Sequence, residues 1–267
     1  MARLHILYSP ASDSGSFLAV GSWLSGLPLT NIQSQQRTTV ARSSDDATGS
    51  TKFVLDHGSA QSFQIFALIS HNLTAAATVR IRVSNASNGS APLLDQTVTV
   101  GADGANAGLT LYRAAAAVSG QYVLIDITDT LNPDNYVEVG RFMAGVPFVP
   151  SINMSYGAAI KVNDDTTESR TTGGQSHFGT KPKYRSLRFT LDALTDAEAF
   201  GAYPSVEDMM DTLGISGNLL AIYDPDDTAV MLPKRTIYGR LRALSEIVEA
   251  NASQAPHTWA SEIVELL

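Results

Sequence analysis

The sequence predicts a mainly β protein built around an antiparallel β-sandwich. Three observations carry that expectation. Val79-Arg-Ile-Arg-Val83 alternates throughout, so Val79, Ile81 and Val83 enter a core while Arg80 and Arg82 face water. Gln121-Tyr-Val-Leu-Ile-Asp-Ile-Thr128 alternates again, with Val123, Ile125 and Ile127 on one face. Between such runs stand turn residues and no helix-length periodic segment, which points to a sandwich rather than to βαβ units.

In chain order, the first 50 residues read mostly as loop. An edge strand is expected at His5–Tyr8 and a short one at Thr38–Arg42, and Pro28 keeps Gly26–Gln33 at an edge or in a turn. Thr51–Ser87 reads as three short strands. Phe53–Leu55 ends at an Asp56-His-Gly58 turn, Phe63–Ser70 is apolar on both faces and suits a covered central position, and Val79–Val83 follows. Turns are expected at Asn85–Ser90, Gly101–Gly108 and Asn132–Asn135, the last before a strand at Tyr136–Phe142.

Gly145-Val-Pro-Phe-Val-Pro150 reads as a boundary, giving domains 1–149 and 150–267, with the allegiance of residues 1–25 open. Beyond it, strands are expected at Asn153–Ile160, Glu168–Thr172 and Tyr184–Leu191, the last with Leu187, Phe189 and Leu191 on one side. Thr195-Asp-Ala-Glu198 is a capping box, Pro204 interrupts, and Ser205-Val-Glu-Asp208 starts a second helix that ends before a left-handed Gly214. Two short helices follow from this. Leu219–Tyr223 and segments within Thr236–Val248 and Thr258–Leu266 complete a β-rich, α+β second domain.

Composition narrows function. The 267 residues carry a formal charge of −8, with a pI near 5.0, which argues against a general nucleic-acid backbone binder. With no cysteine there is no disulfide, thiolate metal site or cysteine nucleophile. No run of 18 apolar residues and no signal-like N-terminus is present, so synthesis in a cytoplasm without membrane insertion is expected. The sequons at Asn72, Asn85 and Asn251 are those that an Asn-, Ser- and Thr-rich chain yields by chance.

Catalytic spacings are missing. The five histidines form no zinc-binding helix motif, Gly214-Ile-Ser-Gly217 and Gly174-Gln-Ser-His177 fall short of a nucleophile elbow, and no phosphate-binding glycine loop occurs. The expectation is no enzyme, no catalytic residue, no metal and no cofactor. Asp45-Asp46, Asp164-Asp165 and Asp224-Pro-Asp-Asp227 read as exposed turns, with calcium loops as the alternative. Asp56 and His57, with His71 and Asn72, are the candidate ligand-binding set, against a reading as turn formers. Trp23, Tyr112, Tyr122 and Tyr136 can stack on sugars or simply pack. Lys181, Lys183, Arg185, Arg188, Lys234, Arg235, Arg240 and Arg242 form a candidate partner interface in an acidic chain; the alternative is ordinary solubilising charge.

These residues also carry a resemblance. Phe53-Val-Leu-Asp-His-Gly58, Val79-Arg-Ile-Arg-Val-Ser84, Gln121–Ile127 and Val137-Glu-Val-Gly-Arg141 resemble the discoidin, or galactose-binding-like, jelly roll. Leu27–Gln33 and Ala67–Thr74 look like the version found in tail proteins of bacterial viruses. Leu219-Leu-Ala-Ile-Tyr-Asp-Pro-Asp226 and Trp259-Ala-Ser-Glu-Ile-Val-Glu265 are similar to distal-tail and baseplate subunits. The resemblance implies a structural virion component. It would self-assemble, in a homo-oligomeric ring, and dock other tail proteins, with peripheral glycan contact. The alternative is a lectin-like carbohydrate-binding module that recognises host surface glycans.

Overall fold

The computed structural model describes residues 3–18, 20–249 and 256–266; the Asn251 sequon lies outside them. The chain is mainly β and divides into two compact units. His5–Phe148 and Asp224–Thr236 form the sandwich unit, whereas Val149–Tyr223 and Ile237–Leu267 form the second unit together with the N-terminal residues to Leu4. A single crossing between 1–149 and 150–267 therefore does not describe the chain. Residues 224–236 return to the sandwich, where Asp226 pairs with Arg113 and Lys234 sits 3.1 Å from Asp103.

The sandwich unit contains β1 (His5–Leu7), β2 (Ser16–Phe17), β3 (Ala41–Arg42), β4 (Lys52–His71), β5 (Thr78–Ser84), β6 (Leu94–Thr99), β7 (Leu109–Thr128) and β8 (Glu138–Gly145). Two of these strands, β4 and β7, are 20 residues long and antiparallel over their whole length. Register breaks after Asp56 and again after Phe63 bend them. The first half of β4 and the second half of β7 form one layer with β2, β5 and β6; the other halves form a second layer with β8 and β3. This is the expected jelly-roll sandwich, with two strands shared between its layers.

Side-chain alternation builds the core as expected. Val79, Ile81, Val83, Val123, Ile125 and Ile127 are buried, and Ile65–Ile69 is buried throughout between β7 and β8. Phe53 of one layer meets Phe142 of the other edge to face, with centroids 5.4 Å apart. Arg80 and Arg82 point outward and pair with Asp95 and Asp126.

Two local readings are corrected. Asp56-His-Gly58 does not end a strand. Gly58 adopts φ 69° and its N–H donates to Asp56 Oδ1 at 2.7 Å, yet β4 regains the same neighbour at Gln61↔Gly120. Turn chemistry makes a bend instead of a hairpin when both flanks pair with one strand. Gly101–Gly108 is likewise no simple turn: Gly101–Ala107 is helical and Gly108, at φ 59°, caps it. Seven residues, two of them glycine, show no period to read.

In the second unit, β9 (Ala159–Asn163), β12 (Tyr184–Leu194), β13 (Leu219–Ile222), β14 (Thr236–Leu241) and β16 (His257–Glu265) form a sheet in the order β13-β14-β16-β12-β9, and β15 (Ile247–Glu249) adjoins β16. β10 (Thr167–Arg170) and β11 (Ser176–Gly179) pair only with each other. Leu187, Phe189 and Leu191 are buried opposite Ile263, Ser261 and Trp259. Both helices start where expected. Thr195 and Glu198 close the capping box before Asp196–Phe200, and the Ser205 hydroxyl accepts from Asp208 N–H before Val206–Leu213. Gly214 has the positive φ, 52°, that its position required.

Candidate functional site

The four polar residues singled out on the sandwich do not meet. Asp56 and His57 lie at the bend of β4, whereas His71 ends the same strand at the opposite end of the sandwich, across from Val139. Asp56 accepts from Gln121 Nε2 at 2.9 Å and from Gly58 N–H, which holds its carboxyl below the usual range. The half-buried His57 ring packs 5.1 Å from Phe63, and burial pulls its pKa down against the opposing effect of Asp56.

His71 is buried in the core. Its Nδ1 accepts from Leu73 N–H at 3.3 Å, which places the ring proton on Nε2, 2.9 Å from Thr110 Oγ1. Burial pushes its pKa to about 4. Asn72 ties a loop down: its amide donates to Asp134 Oδ2 at 2.9 Å and to the Tyr136 carbonyl at 3.0 Å, and its oxygen accepts from Glu138 N–H. The quartet is thus two local structural devices, separated because β4 crosses from one layer to the other.

The aromatic residues pack. Trp23 stacks edge-on against Phe53 and donates to the Lys52 carbonyl at 3.0 Å; Tyr112 lies against Phe66; the Arg42 guanidinium sits 4.2 Å over Tyr136. The paired aspartates mostly serve their own turns, with Asp45, Asp164 and Asp224 each accepting a backbone N–H two residues on. Sequence reasoning missed a polar groove of about 570 Å³ on the outward face of the sandwich, lined by Thr48, Lys52, Arg80, Arg82, Asp126 and Thr128 among others. Its signal was the outward half of the alternation in β5 and β7.

Of the eight basic residues, the structure gathers three. Arg188 and Arg240 project from the outer face of the second unit's sheet, and Arg242 pairs there with Glu262 at 3.0 Å. Arg185 is bound to Glu265, and Lys183 to Asp164 at 3.5 Å; Lys181 stands on an exposed stretch. Lys234 and Arg235 belong to the sandwich unit, where Arg235 pairs with Asp227, and so leave the expected cluster. Their place in the inserted segment had no sequence signature.

Arg188 and Arg242 line a second groove of about 590 Å³. Its floor is Arg188 and Thr190 of β12 with Ala260 and Glu262 of β16; its walls are Ser155–Ala158 and the stretch from Arg242 to Ser245. Backbone bonds fix the walls to the floor: Ser155 N–H donates to the Thr190 carbonyl at 2.8 Å and Arg242 N–H to that of Glu262 at 2.9 Å. The Tyr156 ring stands fully exposed on one wall.

From β9 to β12 the chain runs out into an arm. Every residue from 167 to 183 is exposed, including the Phe178 ring. The β10–β11 pairing organises it, and at its base Lys183 meets Asp164 and Lys181 N–H donates to Thr166 Oγ1.

No protein-family model and no curated protein matches the chain. Among solved structures it is similar to a CBM32 module from a family 31 glycoside hydrolase of Clostridium perfringens, at 11% identity and a TM-score of 0.40, over 52% of this chain and 98% of the module. It is similar to chitosan-binding module 2 of a Paenibacillus chitosanase/glucanase, solved with chitotriose, at 23% identity and 0.40, over 51% and 98%. A GH29 fucosidase from Ruminococcus gnavus aligns at 12% identity and 0.41 over 52% of this chain, which spans 27% of that enzyme.

Proposed function

We propose that the chain is a non-enzymatic assembly protein whose second unit joins it to other protein chains. The observation that carries this reading is the β10–β11 arm. An isolated two-stranded hairpin is marginal in water, and both of its edges offer unpaired backbone groups. Such an arm gains order by adding its strands or its Phe178 side chain to a partner. The distribution of exposed apolar side chains supports the same reading. Among the described residues, nine of the thirteen large ones, Ile152, Tyr156, Val162, Phe178 and Leu244 included, lie in the second unit, which is the smaller of the two.

In the setting implied by the resemblance to distal-tail and baseplate subunits, the partners are further copies of this chain and neighbouring tail proteins, and the place is a virion tail assembled in a bacterial cytoplasm. The test is the mass of the full chain in solution, alone and with residues 168–178 replaced by a short Gly-Ser turn. Oligomers that the arm variant abolishes support the proposal. A chain that stays monomeric at high concentration, and likewise when mixed with the adjacent tail proteins, overturns it.

A second reading rests on the polar groove of the sandwich. Thr48, Thr78, Thr97 and Thr128 line it beside the Arg82–Asp126 pair, with Arg80 and Lys52, a polar lining that offers hydrogen-bond partners to a polyhydroxy ligand. The solved carbohydrate-binding modules provide a ready panel of sugars, chitotriose and fucose among them. A glycan array with the full chain, repeated on Arg82→Ala, separates a saturable sugar site from none.

A further inference from the structure

The groove of the second unit has a charge pattern that neither reading above uses. Arg188 stands directly opposite Glu262 in the β12–β16 register, the position from which a cross-strand ion pair is normally made. Glu262 instead gives its carboxylate to Arg242. The one carboxylate that lines the groove among the described residues is thus taken by Arg242, and Arg188 has no ionic partner there. Lys161, on the same face of neighbouring β9, and Arg240 beyond Val264 add to the positive field. Asp192 faces the wall from outside the lining and is occupied by the Ser155 hydroxyl.

The remaining lining decides the class of ligand. Thr190, Ser155 and Ser245 supply hydroxyls, Tyr156 supplies an unpacked ring, and Gly157, Ala158, Ala243 and Ala260 are small; Phe189 and Ser261 also border the groove, but both side chains are buried, Phe189 against Trp259. A docked protein segment needs a desolvated apolar pocket for an anchor side chain, and this floor has none. A floor two strands wide measures about 10 Å at ordinary strand spacing, enough for one sugar ring. A planar guanidinium matches a carboxylate in two parallel hydrogen bonds.

We propose that this groove binds a sugar acid, with its carboxylate on Arg188 and its ring laid against Tyr156. The site is separate from the arm; Tyr156 also counts among the exposed apolar side chains of the second unit, but sugar binding and chain mass are read separately, so failure of one reading leaves the other standing. Arg188 lies at the exposed face and its replacement leaves the buried side of β12 intact.

The experiment is an NMR or calorimetric titration of the full chain with methyl glucuronide, methyl glucoside and a short glutamate-containing peptide. Arg188→Gln and Tyr156→Ala are tested alongside, each checked for an unchanged melting temperature. The proposal expects saturable binding of the glucuronide, at least 10-fold weaker binding of the glucoside, and a loss of 10-fold or more in Arg188→Gln. Tyr156→Ala should weaken both sugars in the same proportion. Added salt should weaken the glucuronide alone. Equal affinity for both sugars, no change in Arg188→Gln, tighter binding of the peptide, or no glucuronide binding at 10-fold molar excess over millimolar protein would each overturn it.

Discussion

Acidification should weaken the sandwich through one imidazole. His71 is buried, with Nδ1 already accepting from Leu73 N–H, so a second ring proton would set two donors against each other. Its pKa falls from 6.5 to about 4 on folding. The unfolded chain therefore takes up this proton first as pH drops. The neutral ring's contribution is fully present above pH 6.5, is lost progressively down to about pH 4, and changes no further below that. At about 1.4 kcal/mol per pH unit the loss amounts to about 3 kcal/mol. The assay is urea unfolding at pH 7.5, 5.5 and 4, followed by fluorescence in a Trp259→Phe background, so that Trp23 of the sandwich is the one remaining tryptophan. Wild type and His71→Gln share every carboxylate, so acid effects from Asp56 or Asp95 cancel in their difference. That difference should shrink by about 3 kcal/mol between pH 7.5 and pH 4. A change below about 1 kcal/mol would refute the role given to burial.

Other perturbations read other parts of the structure. Phe142→Ala removes the ring that meets Phe53 across the layers and should cost about 3–5 kcal/mol in the same unfolding assay. Arg141→Ala strips a buried guanidinium from Asp13, at 2.6 Å, and from the Ile32 carbonyl; the expected loss is about 3 kcal/mol, and Arg141→Lys should recover little of it. Gly239→Ala would place a Cβ 2.3 Å from the Val264 carbonyl oxygen on the paired strand, destabilising the second unit by about 1–3 kcal/mol as read from Trp259 emission. Thr195→Ala should cost about 1 kcal/mol by removing the cap before Asp196–Phe200.

What the sequence made legible was what depends on period and local chemistry. Val79–Val83 and Val123–Ile127 alternate because one face of each is core, and Thr195 and Ser205 announce helices through hydrogen bonds made within a few residues. What stayed hidden depends on which strand is the neighbour. Asp56-His-Gly58 has the composition of a hairpin turn, and only the continued pairing with β7 makes it a bend. His57 and His71 lie on one continuous strand, at its bend and at its end, so the four candidate residues do not meet. The basic residues come together only in part. Arg188, Arg240 and Arg242 share a sheet face, while Lys234 and Arg235 sit in a segment whose return to the sandwich is a tertiary fact. Neither groove has a motif, because each is lined by residues brought together from several strands.

The returning segment Asp224–Thr236 has a practical consequence for anyone wishing to transplant the jelly roll. No contiguous stretch of the gene encodes it. A fragment ending at Phe148 would deprive Arg113 and Asp103 of their ionic partners and lack the buried Pro233. Splicing the thirteen missing residues onto that fragment through a flexible tether is the simpler route to an intact graft.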